Sequence, residues 1–152
     1  MSLVVVDVEY VEKNIVKELA LYIDGAVYGY SFKPPKNFQP TKQAHWVTEN
    51  LHGIEWKSGQ LDYESIPRIL NIVKLQRAEV FAKGQEKCKV VANLLNMHVE
   101  NLDDYGCPKI QQFQPEQMGF CISYPLRHRS RFHCAEKKVR AYGNWMKQHL
   151  KL

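Results

Sequence analysis

The run Leu3-Val4-Val5-Val6, followed by Asp7-Val8-Glu9, constrains this chain more than any other segment. Consecutive apolar side chains suit a strand covered on both faces. Because strand side chains alternate, positions 7 and 9 point the same way at its far end. Two carboxylates at the mouth of a buried strand make an edge suited to divalent cations and hence to metal-dependent phosphate chemistry. The same residues also fit a strand that simply ends at Asp7 with Glu9 in solvent.

A chain of 152 residues suits one domain over residues 1–152, which buries roughly two-thirds of the surface its unfolded form exposes. No apolar run approaches the roughly 20 residues needed to span a bilayer, so no membrane partner is expected. Met1-Ser2-Leu3 leads straight into the strand without the basic and apolar segments of a secretory leader, which points to an intracellular protein, cytoplasmic or nuclear. In that setting Cys88, Cys107, Cys121 and Cys134 are expected as thiols or metal ligands rather than disulfides. The net charge of +5 is unevenly placed. From Cys121 onward Arg127, Arg129, Arg131, Lys137, Lys138, Arg140, Lys147 and Lys151 face the single acid Glu136, with His128, His133 and His149 among them. Such a segment either follows a polyanion backbone or is a solvated basic face.

Residues 3–11, 15–23 and 26–33 are rich in Val, Ile, Leu, Tyr and Phe, and Asp24-Gly25 is a tight-turn pair, which predicts a three-stranded antiparallel meander. Pro34-Pro35 ends it, since proline has no amide donor for a ladder. The pattern then predicts helices over 41–51 and from a Ser65 cap to about Leu75, and a short strand at 78–82. A helix over 85–96, a strand over 97–102 and a last helix over 134–150 complete it. In that last helix Ala135, Val139, Tyr142, Met146 and Leu150 form one stripe. Strands followed by helix–strand alternation predict an α/β architecture on a mixed sheet, with 78–82 parallel beside the first strand.

Four segments in order, Asp7-Val8-Glu9, His52-Gly53-Ile54, Val80-Phe81-Ala82-Lys83-Gly84 and His133-Cys134-Ala135, resemble the RNase H-like fold of the DEDDh 3′–5′ exonucleases, over nearly the whole chain. Lys83-Gly84-Gln85-Glu86-Lys87 is also similar to a segment of exonuclease-like proteins from invertebrate genomes and mobile elements, a likeness that implies no activity. The exonuclease resemblance implies that Asp7 and Glu9 bind two divalent ions, Mg2+ or Mn2+, that Glu86 stands for a second-motif acid, and that His133 is the general base. Where the family pattern has a metal-binding Asp five residues past the base, this chain has Lys138, and Lys87 adjoins Glu86 in the second motif. An ammonium near a divalent ion replaces attraction by repulsion. The expectation is therefore a degenerate site in which a lysine neutralises Asp7 or Glu9.

Cys107, Cys121 and Cys134, with His133 or His128, form a second candidate set, for a structural Zn2+, although no Cys-x-x-Cys pair is present. Cys88 reads as a core thiol. Trp46, Trp56 and Trp145 read as packing or as base-stacking surfaces. The candidate nucleic-acid contacts are Lys87, Arg127, Arg129, Arg131, Lys138 and Arg140. The leading expectation is a nucleic-acid-associated exonuclease-like domain, catalytically impaired, that binds RNA or DNA or acts as a scaffold. The alternatives are an active exonuclease using Asp7, Glu9, Glu86 and His133, with Glu136 as a substitute ligand, and a zinc-stabilised domain that binds a protein partner.

Overall fold

A computed structural model describes residues 3–12, 15–36, 39, 41–47, 59–119 and 133–150. Its centre is a five-stranded mixed sheet in the order β3-β2-β1-β4-β5, where β1 is Leu3–Glu12, β2 Ile15–Ile23, β3 Ala26–Ser31, β4 Glu79–Ala82 and β5 Glu100–Asn101. The first three strands form the expected antiparallel meander, and β4 lies parallel beside β1 with Val4 opposite Val80. Asp24 and Gly25 both adopt positive φ, 49° and 94°, as a two-residue hairpin turn that follows the strand twist requires. Helices α1 (Lys42–Val47), α2 (Ile66–Leu75), α3 (Gln85–Leu95), α4 (Pro115–Met118) and α5 (Ala135–His149) and the 3-10 turns Tyr63–Ser65, Leu102–Tyr105 and Ile110–Gln112 complete the described elements. None is long and apolar enough to cross a membrane.

Alternation along β1 divides the core. Val4, Val6 and Val8 pack with Leu19, Leu21 and Val80 under α2 and α3, through Ile66, Ile69, Leu70, Val73, Val91 and Leu95. Val5, Ala20, Tyr22 and Phe81 face the other way, onto Ala135, Val139, Tyr142 and Met146 of α5. Asp7 and Glu9 continue the Val5 row and therefore lie under α5. The parallel ladder between β1 and β4 stops at Val5 opposite Phe81, so among the described residues the far half of β1 has no strand on that side. That open edge positions the site.

Two boundaries differ from expectation. Ser65 lies inside a 3-10 turn, Tyr63–Ser65, with helical backbone and no side-chain cap bond. The strand expected over 97–102 is only Glu100–Asn101, because the Asn101 side chain accepts from the amides of Asp103 (2.9 Å) and Gly84 (3.0 Å) and turns the chain into a 3-10 segment. The part of the first helix expected beyond residue 47 falls outside the described residues.

Helix α5 approaches the sheet closely because two positions lack side chains. A Cβ at Gly29 would lie 1.8 Å from Glu136 Oε1, and one at Gly143 would lie 2.4 Å from the Tyr22 ring. Gly143→Ala tests which effect dominates. Helix propensity alone favours alanine by about 1 kcal/mol, whereas overpacking costs about 1–3 kcal/mol. Urea denaturation should show a lowered midpoint; a raised one would mean that the ring moves aside freely.

Candidate functional site

Asp7 and Glu9 are buried, Asp7 only 2% exposed, and removing such groups from water without counter-charge costs several kcal/mol each. Two lysines from different elements supply it. Lys138 Nζ, from α5, donates to Glu9 Oε1 at 2.8 Å and lies 3.9 Å from Asp7 Oδ2. Lys87 Nζ, from the first turn of α3, lies 3.4 Å from Asp7 Oδ1 and 4.0 Å from Glu9 Oε1. Each ammonium is thus held between the same two carboxylates. Lys87 also donates to the carbonyl of Val8, on the edge of β1 that β4 leaves open, and its ammonium sits 5.2 Å from the centre of the Tyr10 ring.

The two acids respond differently to this cage. Burial pushes Glu9 upward, but Lys87, Lys138 and the short hydrogen bond from Lys138 reverse the effect and hold it at about 2. Burial prevails at Asp7, which rises above its ordinary value, because its ammonium contacts are longer. Its Oδ2 is left without a hydrogen-bond partner. Burial also opposes charge on Lys138, and Asp7 and Glu9 outweigh it and raise that group. The His133 imidazole, half-buried beside this cage, is held below its ordinary value because desolvation lowers it more than Glu9 raises it.

A carboxylate that sequence reading overlooked sets the helix in place. Glu18 stands opposite Glu9 in the β1–β2 register, and its Oε1 accepts from the amide of Ala135 at 2.7 Å. It caps the start of α5 where the N-cap residue, Cys134, makes no side-chain cap bond. A negative group at a helix N-terminus is favourable, and the cap fixes Lys138 one turn further on. The hairpin register implies this facing pair of acids, but nothing in the sequence indicates that a backbone amide would meet the second one.

Other candidates are placed elsewhere. Glu86 is exposed and accepts from the Tyr10 hydroxyl at 3.0 Å, a bond that, after burial, helps to push Tyr10 up to about 12. Lys87 holds the inward position beside it. Glu136 packs over Gly29 of β3. Lys138 and Arg140 do not project from the surface as the basic-face reading requires. Lys138 is buried, and Arg140 Nη1 donates to the carbonyl of Met118 at 2.6 Å at the end of α4. Trp145 stacks on His149 at 4.9 Å. Trp56, the His52-Gly53-Ile54 segment, His128, Arg127, Arg129 and Arg131 lie outside the described residues.

Among the described residues no group of three or more His, Cys, Asp or Glu side chains could hold a metal ion. Cys107 and Cys134 are buried, and burial raises the Cys107 thiol to about 12, away from the thiolate that zinc takes. Cys121, the other member of the expected zinc set with His133, is outside the described residues. Cys88 sits against the core with Sγ 3.5 Å from the Ala82 carbonyl. The carboxylate pair does not fit two divalent ions as it stands, because both positions between the acids are taken by ammonium groups.

No protein-family model matches the chain, and neither does any curated protein. Solved structures do. A product-bound exonuclease I matches 99% of this chain at TM-score 0.56 with 11% identity. Escherichia coli exonuclease I with a dT13 oligonucleotide matches 99% at 0.57 with 12% identity. The zinc-ion-bound form of the Escherichia coli exonuclease I–ssDNA complex matches 99% at 0.55 with 14% identity. The match covers 44%, 42% and 40% of those chains, so this chain spans about two-fifths of their length. At these identities the likeness establishes the fold, which is the RNase H-like exonuclease fold.

The cage makes the acid response specific. Glu9 titrates at about 2 when folded, against 4.5 as its ordinary value. Its contribution to stability is therefore complete above the ordinary value and is lost as pH falls through the folded one. Glu9→Gln should be less stable than wild type at pH 7, and the gap should close on acidification toward pH 2, read by urea unfolding at stepped pH. A gap independent of pH would refute the ionic origin of that stability. Lys138→Met, which leaves a buried charge uncompensated, should cost about 3–5 kcal/mol.

Proposed function

We propose that this chain is an exonuclease-like domain that binds single-stranded nucleic acid without cutting it, its metal positions being filled by Lys87 and Lys138. One observation carries the reading: Lys138 Nζ is 2.8 Å from Glu9 Oε1, with Lys87 Nζ 3.4 Å from Asp7 Oδ1 on the other side. Two-metal hydrolysis needs divalent ions between such acids to stabilise the attacking and leaving oxygens. An ammonium offers one charge and no open coordination position for water. His133 would then have no activated water to deprotonate.

Strand binding is supported by the solved exonuclease I structures that hold oligonucleotides and by the charge of this chain, +5 overall and concentrated after Cys121. Since Lys138 and Arg140 are engaged inside the fold, the phosphate contacts fall to Arg127, Arg129 and Arg131, with the partly exposed Lys87 beside the two acids.

A labelled oligo-dT strand should stay at full length with Mn2+ or Mg2+, yet bind with an affinity that falls as salt rises. Replacing Arg127, Arg129 and Arg131 together by alanine should flatten the plot of log K against log salt by about 2, at about 0.7 per phosphate contact on single strands. Shortening of the strand that needs Mn2+ would establish instead the active reading through Asp7, Glu9, Glu86 and His133. An intact strand with no binding at low salt would favour the protein-interaction reading, in which Zn2+ in purified protein becomes the next measurement.

A further inference from the structure

We infer that the outer edge of β3 is a self-association surface, on which a second copy of this chain pairs its own β3 antiparallel about a two-fold axis through Tyr28. The inference is independent of nucleic-acid binding and of the lysine–carboxylate cage, which lies on β1, beyond β2 from that edge.

β3 ends the sheet, and its ladder to β2 fixes which backbone groups are left over. Across the Asp24-Gly25 turn, Ile23 and Ala26 form the hydrogen-bonded pair of a two-residue hairpin, so Ala26, Tyr28 and Tyr30 bond inward to β2. The Phe32 amide, which donates to the Lys17 carbonyl at 2.9 Å, keeps the same phase. The amides and carbonyls of Val27, Gly29 and Ser31 therefore face outward. Ser31 is taken, since its carbonyl accepts from the amides of Gln60 at 3.1 Å and Leu61 at 3.0 Å, and the strap of residues 59–61 closes that end of the edge. The outward groups of Val27 and Gly29 have no partner among the described residues. Exposed edges are ordinarily blunted by charge, proline or a bulge. Ala26–Ser31 has no charged residue and no proline, its ladder runs without a register shift, and Tyr28 is 46% exposed. The two open positions flank Tyr28 symmetrically, so a second β3 turned about Tyr28 sets Val27 of each copy against Gly29 of the other, each pair exchanging both of its N–H···O bonds. Tyr28 then meets its own counterpart at a non-hydrogen-bonded position, where side chains come closest and aromatic pairs are favourable. The same register brings Asp24 of one copy to the end where the other has Lys33. A register shifted toward Ser31 runs into the strap. The edge thus matches itself in hydrogen bonds, side chains and charge, and a second copy is its occupant.

Sedimentation equilibrium of the whole chain without nucleic acid, over roughly 1 to 200 µM, decides it. The weight-average mass of wild type should climb with concentration from 17.8 kDa toward twice that value. Tyr28→Lys and Tyr28→Glu each set like charges directly opposite one another, and each alone should raise the dissociation constant by about tenfold or more. An equimolar mixture of the two variants should associate as tightly as wild type or more so, because pairing centred on residue 28 sets the introduced ammonium against the introduced carboxylate. A monomer at every concentration overturns the inference and leaves the edge to an extended segment of another protein. Association that neither charge weakens, or that the mixture does not restore, overturns it as well. If a Tyr28 variant is unfolded by far-UV circular dichroism, Val27→Pro takes its place. That change deletes one outward donor and leaves the β2 ladder intact; it should shift the mass toward the monomer, and an unchanged mass counts against the inference.

Discussion

Two carboxylates buried on one strand require compensating positive charge, and much of the molecule is arranged to provide it. Asp7 and Glu9 cannot face solvent, because alternation along β1 sends them to the side that α5 covers. They cannot be neutralised by their strand neighbours either, since the residue across from Glu9 is a third acid, Glu18. The charge comes instead from α5 and α3, which pack on opposite faces of the sheet. Lys138 reaches down from above, and Lys87 comes around the edge that the short β4 leaves open. The missing half of the parallel ladder is what allows a side chain from α3 to reach Asp7 and cap the Val8 carbonyl.

A tethered ammonium and a dissolved metal ion meet the same electrostatic demand in different ways. The metal has the greater charge and open coordination positions, but its occupancy depends on its concentration. The lysine is always present, costs side-chain entropy once on folding, and brings no bound water. A buried ion pair is weak evidence of net stabilisation, yet it is strongly destabilising to break. In this chain both ammonium groups lie between the two acids, and Asp7 Oδ2 is left without a hydrogen-bond partner.

Much of the frame was legible because it follows from short-range rules. The alternation of β1, the Asp24-Gly25 turn and the stripe of Ala135, Val139, Tyr142 and Met146 specify strand, hairpin and helix faces almost residue by residue. The parallel placement of β4 followed from the helix-strand order. A lysine entering the acid pair was also legible, from the positions of Lys87 and Lys138 in the resembled motifs. That both do so was not, because it depends on how far β4 runs along β1. The contacts of Glu86 with Tyr10, Glu136 with Gly29 and Arg140 with Met118 were hidden for a related reason. Each is a long side chain whose destination depends on tertiary packing, and charge patterning alone puts all three on a surface or in the site. Glu18 shows the opposite failure: its register was available, but its partner is a backbone amide, which no residue identity reveals.

Anomalous diffraction from crystals of the wild-type protein soaked in MnCl2 tests the central claim most directly. The account predicts no anomalous peak within coordination distance of Asp7 or Glu9, and density for Lys138 Nζ at hydrogen-bond distance from Glu9 Oε1. A manganese peak between the two carboxylates, with Lys138 turned away, would contradict it.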